Sequence, residues 1–325
     1  MNIRTTRFRA LMGTVLLATA AAVHAGYPDR PIRLIVGFPP GQATDLVARA
    51  VARKLQDVLG QPVIVDNKAG AAGIIGSELA MKAAPDGYTL VVGSSGTMAI
   101  NPSLYSKLSY HPLRDFAPVS LLSIVPLFLA VNPSSTAQTA ADLVKLAKAS
   151  PGKMTYGSAG SGVTSHLTME LFKQAQGIDM THVPYKGSPA AVTDLIGGQV
   201  DAMIDTGPAL LPQMRNGKIR VLAVASQHRN PAAPNVPTMF EAGLGKFVAP
   251  AWVGLAAPRG TPKEVVDTLY KALLSGWKDA PDVREQLNAV GAEPAVMSPE
   301  EFTRFIQSEM DKWGQAVKLS GARVD

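Results

Sequence analysis

The chain has 325 residues, 46% of them hydrophobic and 17% charged, and it contains no cysteine. That balance buries a substantial core and excludes disorder as the main state, while the missing thiols exclude disulfides, thiolate-held zinc or iron–sulfur centres and cysteine nucleophiles. The length exceeds what one compact core usually encloses, so two lobes are expected.

Arg4, Arg7 and Arg9 precede an apolar run from Ala10 to Val23, and Val23-His24-Ala25 sets small residues where a signal peptidase cuts. Residues 1–25 are therefore expected to be a cleaved secretory signal, and the remainder a soluble exported protein. The apolar run is shorter than the roughly 20 residues that span a bilayer. Of 31 Lys and Arg and 25 Asp and Glu, the cut removes three Arg and no acid, leaving 28 against 25, or +3. The bases are scattered among acids with no aromatic interleaving, so no nucleic-acid partner is expected.

Strand and helix periodicities then alternate. Ile32 to Val36 reads as a strand, Gly37 to Gly41 as a Gly/Pro loop, and Thr44 to Leu59 as a helix stopped by Gly60. A strand at Val63 to Val65, a helix from about Ala72 to Ala83, a turn at Pro85-Asp86-Gly87 and a strand from Tyr88 to Val92 follow. After a long connection come a strand at Leu127 to Val131, a helix at Ala140 to Ala149, a strand at Met154 to Tyr156 and a helix at Thr164 to Gln176. Met180 to Val183, Pro189 to Ile196, Ala202 to Ile204, Ala209 to Arg215 and Ile219 to Ala225 continue the alternation. Pro231, Pro234 and Pro237 then break it, Val248 to Ala256 reads as extended, and helices start near Pro262, Asp282 and Pro299.

This is the pattern of an α/β protein with two open sheets flanked by helices. Because the last helices have no strands of their own, they are expected to return and complete the first lobe. The expected domains are 26–123 with 249–325, and an inserted 124–248. Two crossing segments make a hinge, and the loops at the carboxyl ends of both sheets face each other across a cleft, where open α/β sheets bind ligands.

Three loops have the composition of anion cradles: Gly37 to Asp45, which includes Phe38, Gly41, Gln42, Ala43 and Thr44; Gly93 to Thr97; and Gly157 to His166. The first amides of a helix lack intrahelical partners and carry its positive dipole end, and small residues let a carboxylate reach them. Hydroxyls of Ser94, Thr97, Ser158, Ser161 and Thr164 add donors. Taken singly, each loop also reads as a tight turn with a cap. Asp45 reads most simply as an acid complementing its own helix dipole, the other reading being an acid that orients a bridging water or selects an amine. His166 and Glu170 lie one turn apart, a metal-like spacing without further ligands. Trp252 reads as hinge or core packing ahead of ligand stacking. Gly70, Gly73 and Gly76 permit close backbone packing. There is no phosphate loop, G-x-G-x-x-G, G-x-S-x-G, H-E-x-x-H or EF-hand pattern, so no cofactor, metal or catalytic residue is assigned.

Several ordered strings carry a resemblance: Pro31 to Val36, the Phe-Pro-x-Gly loop ending in Thr44-Asp45, Ala84-Pro85-Asp86-Gly87-Tyr88-Thr89-Leu90, Asp115-Phe116-Ala117-Pro118-Val119, His182-Val183-Pro184-Tyr185-Lys186-Gly187, Pro237 to Gly243 and Trp252 to Pro258. Together they resemble the Bordetella-uptake-gene receptors of tripartite tricarboxylate transporters. The resemblance implies a two-lobed, type II-like periplasmic binding protein, expected to be a monomer. It also implies capture of a small carboxylate and delivery to a large and a small integral permease subunit. By the same resemblance the ligand contacts fall at Phe38, Gly41, Thr44 and Asp45, at Ser94 and Thr97, and at Ser158, Gly160, Gly162, Thr164 and His166, with Asp205 and Thr206 lining the cleft. Gln42 stands where the family usually has a second glycine, and Val163 where it has Thr or Ser. Gln42 either contacts ligand or fills space. Phe38, Tyr185 and Trp252 leave room for an aromatic carboxylate, and the scarcity of cleft arginines argues against three salt-bridged carboxylates. Two further readings stay open: a sensor presenting the liganded form to a membrane partner, and an exported hydrolase using Ser158 or Ser161 with His166.

Overall fold

The computed structural model describes residues 26–277 and 280–322. The expected signal segment lies outside them. The chain begins with strand β1 (Ile32–Val36), helix α1 (Ala43–Leu59), β2 (Val63–Asn67), α2 (Ile74–Met81) and β3 (Thr89–Ser94). A π-helical turn at Gly96–Ile100 runs into α3 (Asn101–Leu104), and β4 (Phe116–Val125) ends this stretch. Next come β5 (Leu127–Val131), α4 (Ala140–Ala149), β6 (Thr155–Ser158), α5 (Thr164–Gln176), β7 (Thr181–Pro184), α6 (Ser188–Ile196), β8 (Ala202–Thr206), α7 (Gly207–Arg215) and β9 (Arg220–Val224). The chain returns through β10 (Ala251–Pro258), α8 (Lys263–Gly276), α9 (Pro281–Ala289), β11 (Glu293–Pro294) and α10 (Pro299–Ser320).

These strands form two sheets, in the orders β11-β4-β10-β3-β1-β2 and β7-β6-β8-β5-β9. In the first, β1 lies parallel between β2 and β3, with Leu34 opposite Val65 and Leu90. The returning β10 inserts antiparallel between β3 and β4, placing Leu255 beside Val92 and Ser120. Apolar, β-branched runs such as Ile32–Val36 suit this layer because helices cover both faces of the sheet. The first lobe is thus assembled from both ends of the chain, and Pro126 separates its β4 from β5 of the second lobe. Helix α10 starts with a reciprocal capping box between Ser298 and Glu301. It buries Glu309, whose carboxylate accepts from the indole N–H groups of Trp252 at 2.9 Å and Trp313 at 3.0 Å. No helix among the described residues is long and apolar enough to cross a membrane.

The structure departs from the sequence reading in three places. The long connection before Leu127 holds a helical turn and the ten-residue β4. Pro118 and the serines at 120 and 123 obscure that strand's period, and its register against β10 shifts twice. Ser120 and Ser123 turn their hydroxyls to the carbonyls of Met297 and Glu293. The helix expected from Ala72 begins at Ile74, after a turn in which Ala71 (φ 46°), Ala72 (φ 51°) and Gly73 (φ 85°) are all left-handed. Finally, the tail contributes the short β11 as well as helices.

Gly37, Gly73 and Gly76 bring β1, this turn and α2 into backbone contact. A Cβ on Gly76 would meet Gly37 Cα at 2.8 Å, and one on Gly37 would meet Gly73 Cα at the same distance. Helix propensity alone would make Gly76→Ala stabilising by about 1 kcal/mol. Backbone cannot yield as a flexible side chain does, so the substitution is expected to destabilise the fold by about 1–3 kcal/mol in urea unfolding. A gain in stability would show that this backbone contact is not a constraint.

Candidate ligand-binding site

The loops at the carboxyl ends of β1, β3 and β6 converge between the lobes on a cleft divided into two chambers. The larger, of about 520 Å³, is walled on one side by Phe38, Pro39, the 69–73 turn and Tyr105, and on the other by residues 159–161 and 185–187. The smaller, of about 80 Å³, is lined by Ala43, Thr44, Ser94, Ser95, Thr164, Ser165, Ser188, Asp205, Thr206 and Trp252. Phe38, Gln42, Ala159 and Val163 line both and form the partition. Gln42 and Val163, singled out in the sequence as departures from the pattern it resembles, are both part of it.

Three contacts cross the cleft. The Ser95 and Thr164 hydroxyls lie 2.8 Å apart. A Cβ on Gly162 would sit 1.7 Å from Leu104 Cδ2, and one on Gly187 would sit 2.8 Å from Gln42 Nε2. Gly162 (φ 74°) and Gly187 (φ 115°) also hold backbone angles that side chains disfavour. The lobes meet closely at these two points because those glycines have no side chains.

Asp45 lines neither chamber. It is 1% exposed and accepts hydrogen bonds from the Gly41 amide at 2.9 Å, Arg49 Nε at 3.0 Å and Asn67 Nδ2 at 2.9 Å. Burial pushes its carboxyl up, but the bonds from Arg49, Gly41 and Asn67 prevail and hold it below the usual carboxylate range. Asp45 therefore pins the left-handed Gly41 and shapes the loop from behind, with its helix-dipole role intact. Asn67 Nδ2 also donates to the Phe38 carbonyl, fixing the other end of the same loop. Thr97 likewise lies behind the front, its hydroxyl accepting from the Ser94 amide at 3.0 Å.

Behind the third loop lies a stack that the sequence reading did not find. His166 packs on His182 with ring centroids 3.9 Å apart, and His182 on Tyr156 at 4.8 Å. The Gly162 amide donates to His166 Nδ1 at 2.9 Å, so the neutral ring carries its proton on Nε2. Ser158 Oγ is 2.6 Å from His182 Nε2 and 2.9 Å from the Gly160 carbonyl. Ser158 is fully buried and meets His182, not the His166 named with it in the sequence reading. Glu170 accepts from Lys173 and from the Tyr156 hydroxyl, so it is engaged apart from His166. Among the described residues no group of three or more His, Asp and Glu side chains is placed to hold a metal ion.

Of the residues predicted for the site, Phe38, Gln42, Ala43, Thr44, Ser94, Gly160, Ser161, Thr164 and Asp205 line the cleft. Gly41, Asp45, Thr97, Ser158, Gly162 and His166 line neither chamber and act on the lining loops from behind. Trp252 reaches the small chamber but is 1% exposed and packed edge-on against Phe302 and Phe305, as core. Ser95, Ser188, Tyr105 and the 69–73 turn were missed. The helical turn after Ser95 and the left-handed turn at 71–73 leave no period to read, whereas Ser188 sits before a proline at a helix start, a readable signal.

Burial lowers both imidazoles, His182 to about 3, with His166 and Lys173 adding charge repulsion. Both rings are neutral when folded and take up protons on unfolding below their ordinary value of 6.5. Their contribution is fully present above pH 6.5 and is lost as the pH falls from there towards 3. The urea midpoint is therefore expected to drop between pH 6.5 and 5, before most carboxylates titrate, and His182→Gln is expected to flatten that drop. An unchanged slope in the variant would exclude the stack as its source.

Residues 47–321 match the sequence model of the tripartite tricarboxylate transporter family receptor. The chain is 41% identical over 324 residues to protein BugT of Bordetella pertussis, covering 98% of this chain and 99% of that relative. A solved R. palustris protein with adipate has a TM-score of 0.88 at 36% identity, covering 92% of this chain and 100% of that one. MatC of Rhodopseudomonas palustris, with bound malate, has a TM-score of 0.81 at 34% identity, covering 90% of this chain and 100% of that one. With its two-sheet architecture, divided cleft and near full-length similarity, this chain belongs to the tripartite tricarboxylate transporter receptor family.

Proposed function

We propose that this protein is exported to the periplasm by its amino-terminal signal, captures a small carboxylate between its lobes and hands it to the integral subunits of a tripartite permease. The observation that carries this reading is the meeting of loops from β1, β3 and β6 on one divided cleft rich in hydroxyls and glycine. Lys186 is the sole base in either lining, so recognition rests on hydrogen bonds more than on ion pairs. Several charge-assisted bonds at about 1.5–3 kcal/mol each, less ordering costs, reach the roughly 8 kcal/mol of a micromolar complex. The small chamber, with its seven Ser and Thr residues, takes the carboxylate head, and the larger chamber takes the body. The lobes 26–123 with 249–325 and 124–248 act as the moving units, with the crossings near 123–127 and 248–251 as hinge. Ligand favours the closed state because only closure brings both sets of donors to one molecule.

A thermal-shift panel of adipate, malate, citrate, benzoate and amino acids tests the class. An acid at 100 times its dissociation constant stabilises the protein by about 2.7 kcal/mol. Thr44→Val combined with Ser94→Ala is expected to weaken the best acid at least tenfold by calorimetry, about 1.4 kcal/mol. Scattering is expected to show a more compact envelope with that acid. Unaltered affinity in the folded double variant would remove the small chamber as the carboxylate site.

A further inference from the structure

Asp205 ends β8 on the wall of the small chamber, and its carboxyl group is bonded on one side only. Oδ1 accepts from the Thr206 amide at 2.7 Å, while Oδ2 is buried with no hydrogen-bond partner and the residue is 3% exposed. No compensating charge is at hand. Phe128 opposes Asp205 on β5, and the rest of the chamber wall comes from residues 38 and 42–44, residues 94–96, the end of β4, residues 159 and 163–165, the start of α6, Thr206 and β10. Asp205 is the sole residue with an ionisable acid or base in that wall, and the cleft's lysine, Lys186, lines the other chamber.

We propose that Asp205 holds a proton on Oδ2 and donates it in a hydrogen bond to the carboxylate of the bound ligand, so that a neutral acid, and no cation, faces the anion. The inference rests on the small chamber being the carboxylate subsite. Each feature of the geometry selects the protonated form. An ionised oxygen buried without a partner carries a desolvation cost, and an anion brought into the same chamber adds repulsion. A proton removes both costs and converts the orphan acceptor into a donor. The bond it then makes, O–H to carboxylate, is among the short and strong ones. Burial pushes this carboxyl up, and the Thr206 amide with the nearby Ser188 and Thr206 hydroxyls offsets only part of the effect. A carboxylic acid kept neutral so that it can donate is established chemistry in apolar sites. The competing occupant is a ligand ammonium paired with an ionised Asp205, and the two predict opposite results.

The test uses the full exported chain, carbon-13-labelled at aspartate carboxyls and assigned by difference with Asp205→Asn. In the unliganded protein the Asp205 signal is expected to be that of the protonated acid at pH 7. Adipate affinity is expected to be flat from about pH 6, where both adipate carboxyls are ionised, up to the midpoint seen by resonance, and to fall tenfold per pH unit above it, with one proton taken up on binding there. Asp205→Asn retains a donor and is expected to bind adipate without that pH dependence, whereas Asp205→Leu is expected to lose at least tenfold. Propionate is expected to bind more tightly than β-alanine. An ionised Asp205 at pH 7 overturns the proposal whether or not adipate binds and whether or not the leucine variant folds, and so does tighter binding of β-alanine. If Ser94→Ala weakens adipate but Asp205→Leu does not, only the role of the proton falls. If neither does, the small chamber is not the carboxylate subsite.

Discussion

The architecture is built around one constraint: main chain must approach main chain, and ligand, without intervening side chains. Inside the first lobe that constraint appears as the nested Gly37, Gly73 and Gly76, where a single methyl group would come to 2.8 Å of an opposing Cα. Between the lobes a related closeness, main chain against side chain, appears at Gly162 against Leu104 and Gly187 against Gln42. The anion site proposed for this cleft, with one lysine in its linings, depends on such close approach, because hydroxyl and amide dipoles act only at short range. Rigidity around the loops serves the same end. Asp45 ties Gly41 to Arg49 and Asn67, and Asn67 ties Phe38, so the first loop is held from behind by groups that never face the cleft.

Much of this was legible in the sequence because period and punctuation agreed. The bounds of β1, β5, α4 and α5 follow from apolar alternation or helical spacing closed by Gly, Pro or a capping box. The α/β class and the three loops between strand and helix follow from the same reading. The illegible parts have a physical reason in common, since each depends on contacts distant in sequence. Strand β4 hides behind Pro118 and two serines whose hydroxyls are satisfied by carbonyls 170 and more residues away. His166 and His182 are unremarkable by spacing and become a stack only when β6, β7 and α5 pack together. The left-handed Ala71 and Ala72 cost about 1–2 kcal/mol each in intrinsic terms, and no propensity would place alanine there. Residue type alone identified polar loops but did not distinguish side chains that face the cleft from those that brace it.

The partition between the chambers is formed by four residues. Phe38 and Ala159 belong to the small-residue loops themselves, and Gln42 and Val163 add larger side chains to them. Val163 presents a branched apolar surface to both chambers. Gln42 spans the cleft towards Gly187 with a carboxamide in place of open space. Together they separate the hydroxyl-lined small chamber from the larger one, whose wall of Phe38, Pro39, Ala69, Ala72 and Tyr105 is mostly apolar. On the function proposed, discrimination among acids rests with the body of the ligand, which meets that wall, more than with the number of its charges.

A cleft of this kind avoids formal charge even where ionisable residues are present. His166 and His182 are kept neutral by burial beneath the third loop, and Asp205 is the one acid in the small-chamber wall. Had either histidine been a cation aimed at the ligand, it would have added affinity but also a permanent attraction for any anion in the open state, before the second lobe arrived. Neutral donors carry no such long-range pull, and their bonds form only when geometry is satisfied on both sides at once. Recognition by dipoles therefore couples occupancy to closure more tightly than recognition by ion pairs, because an incorrectly shaped acid that prevents the Ser95 and Thr164 hydroxyls from meeting forfeits bonds from the opposing lobe as well. On the function proposed, in which the closed form is the one recognised downstream, that coupling allows shape, read in the larger chamber, to control the state of the whole molecule.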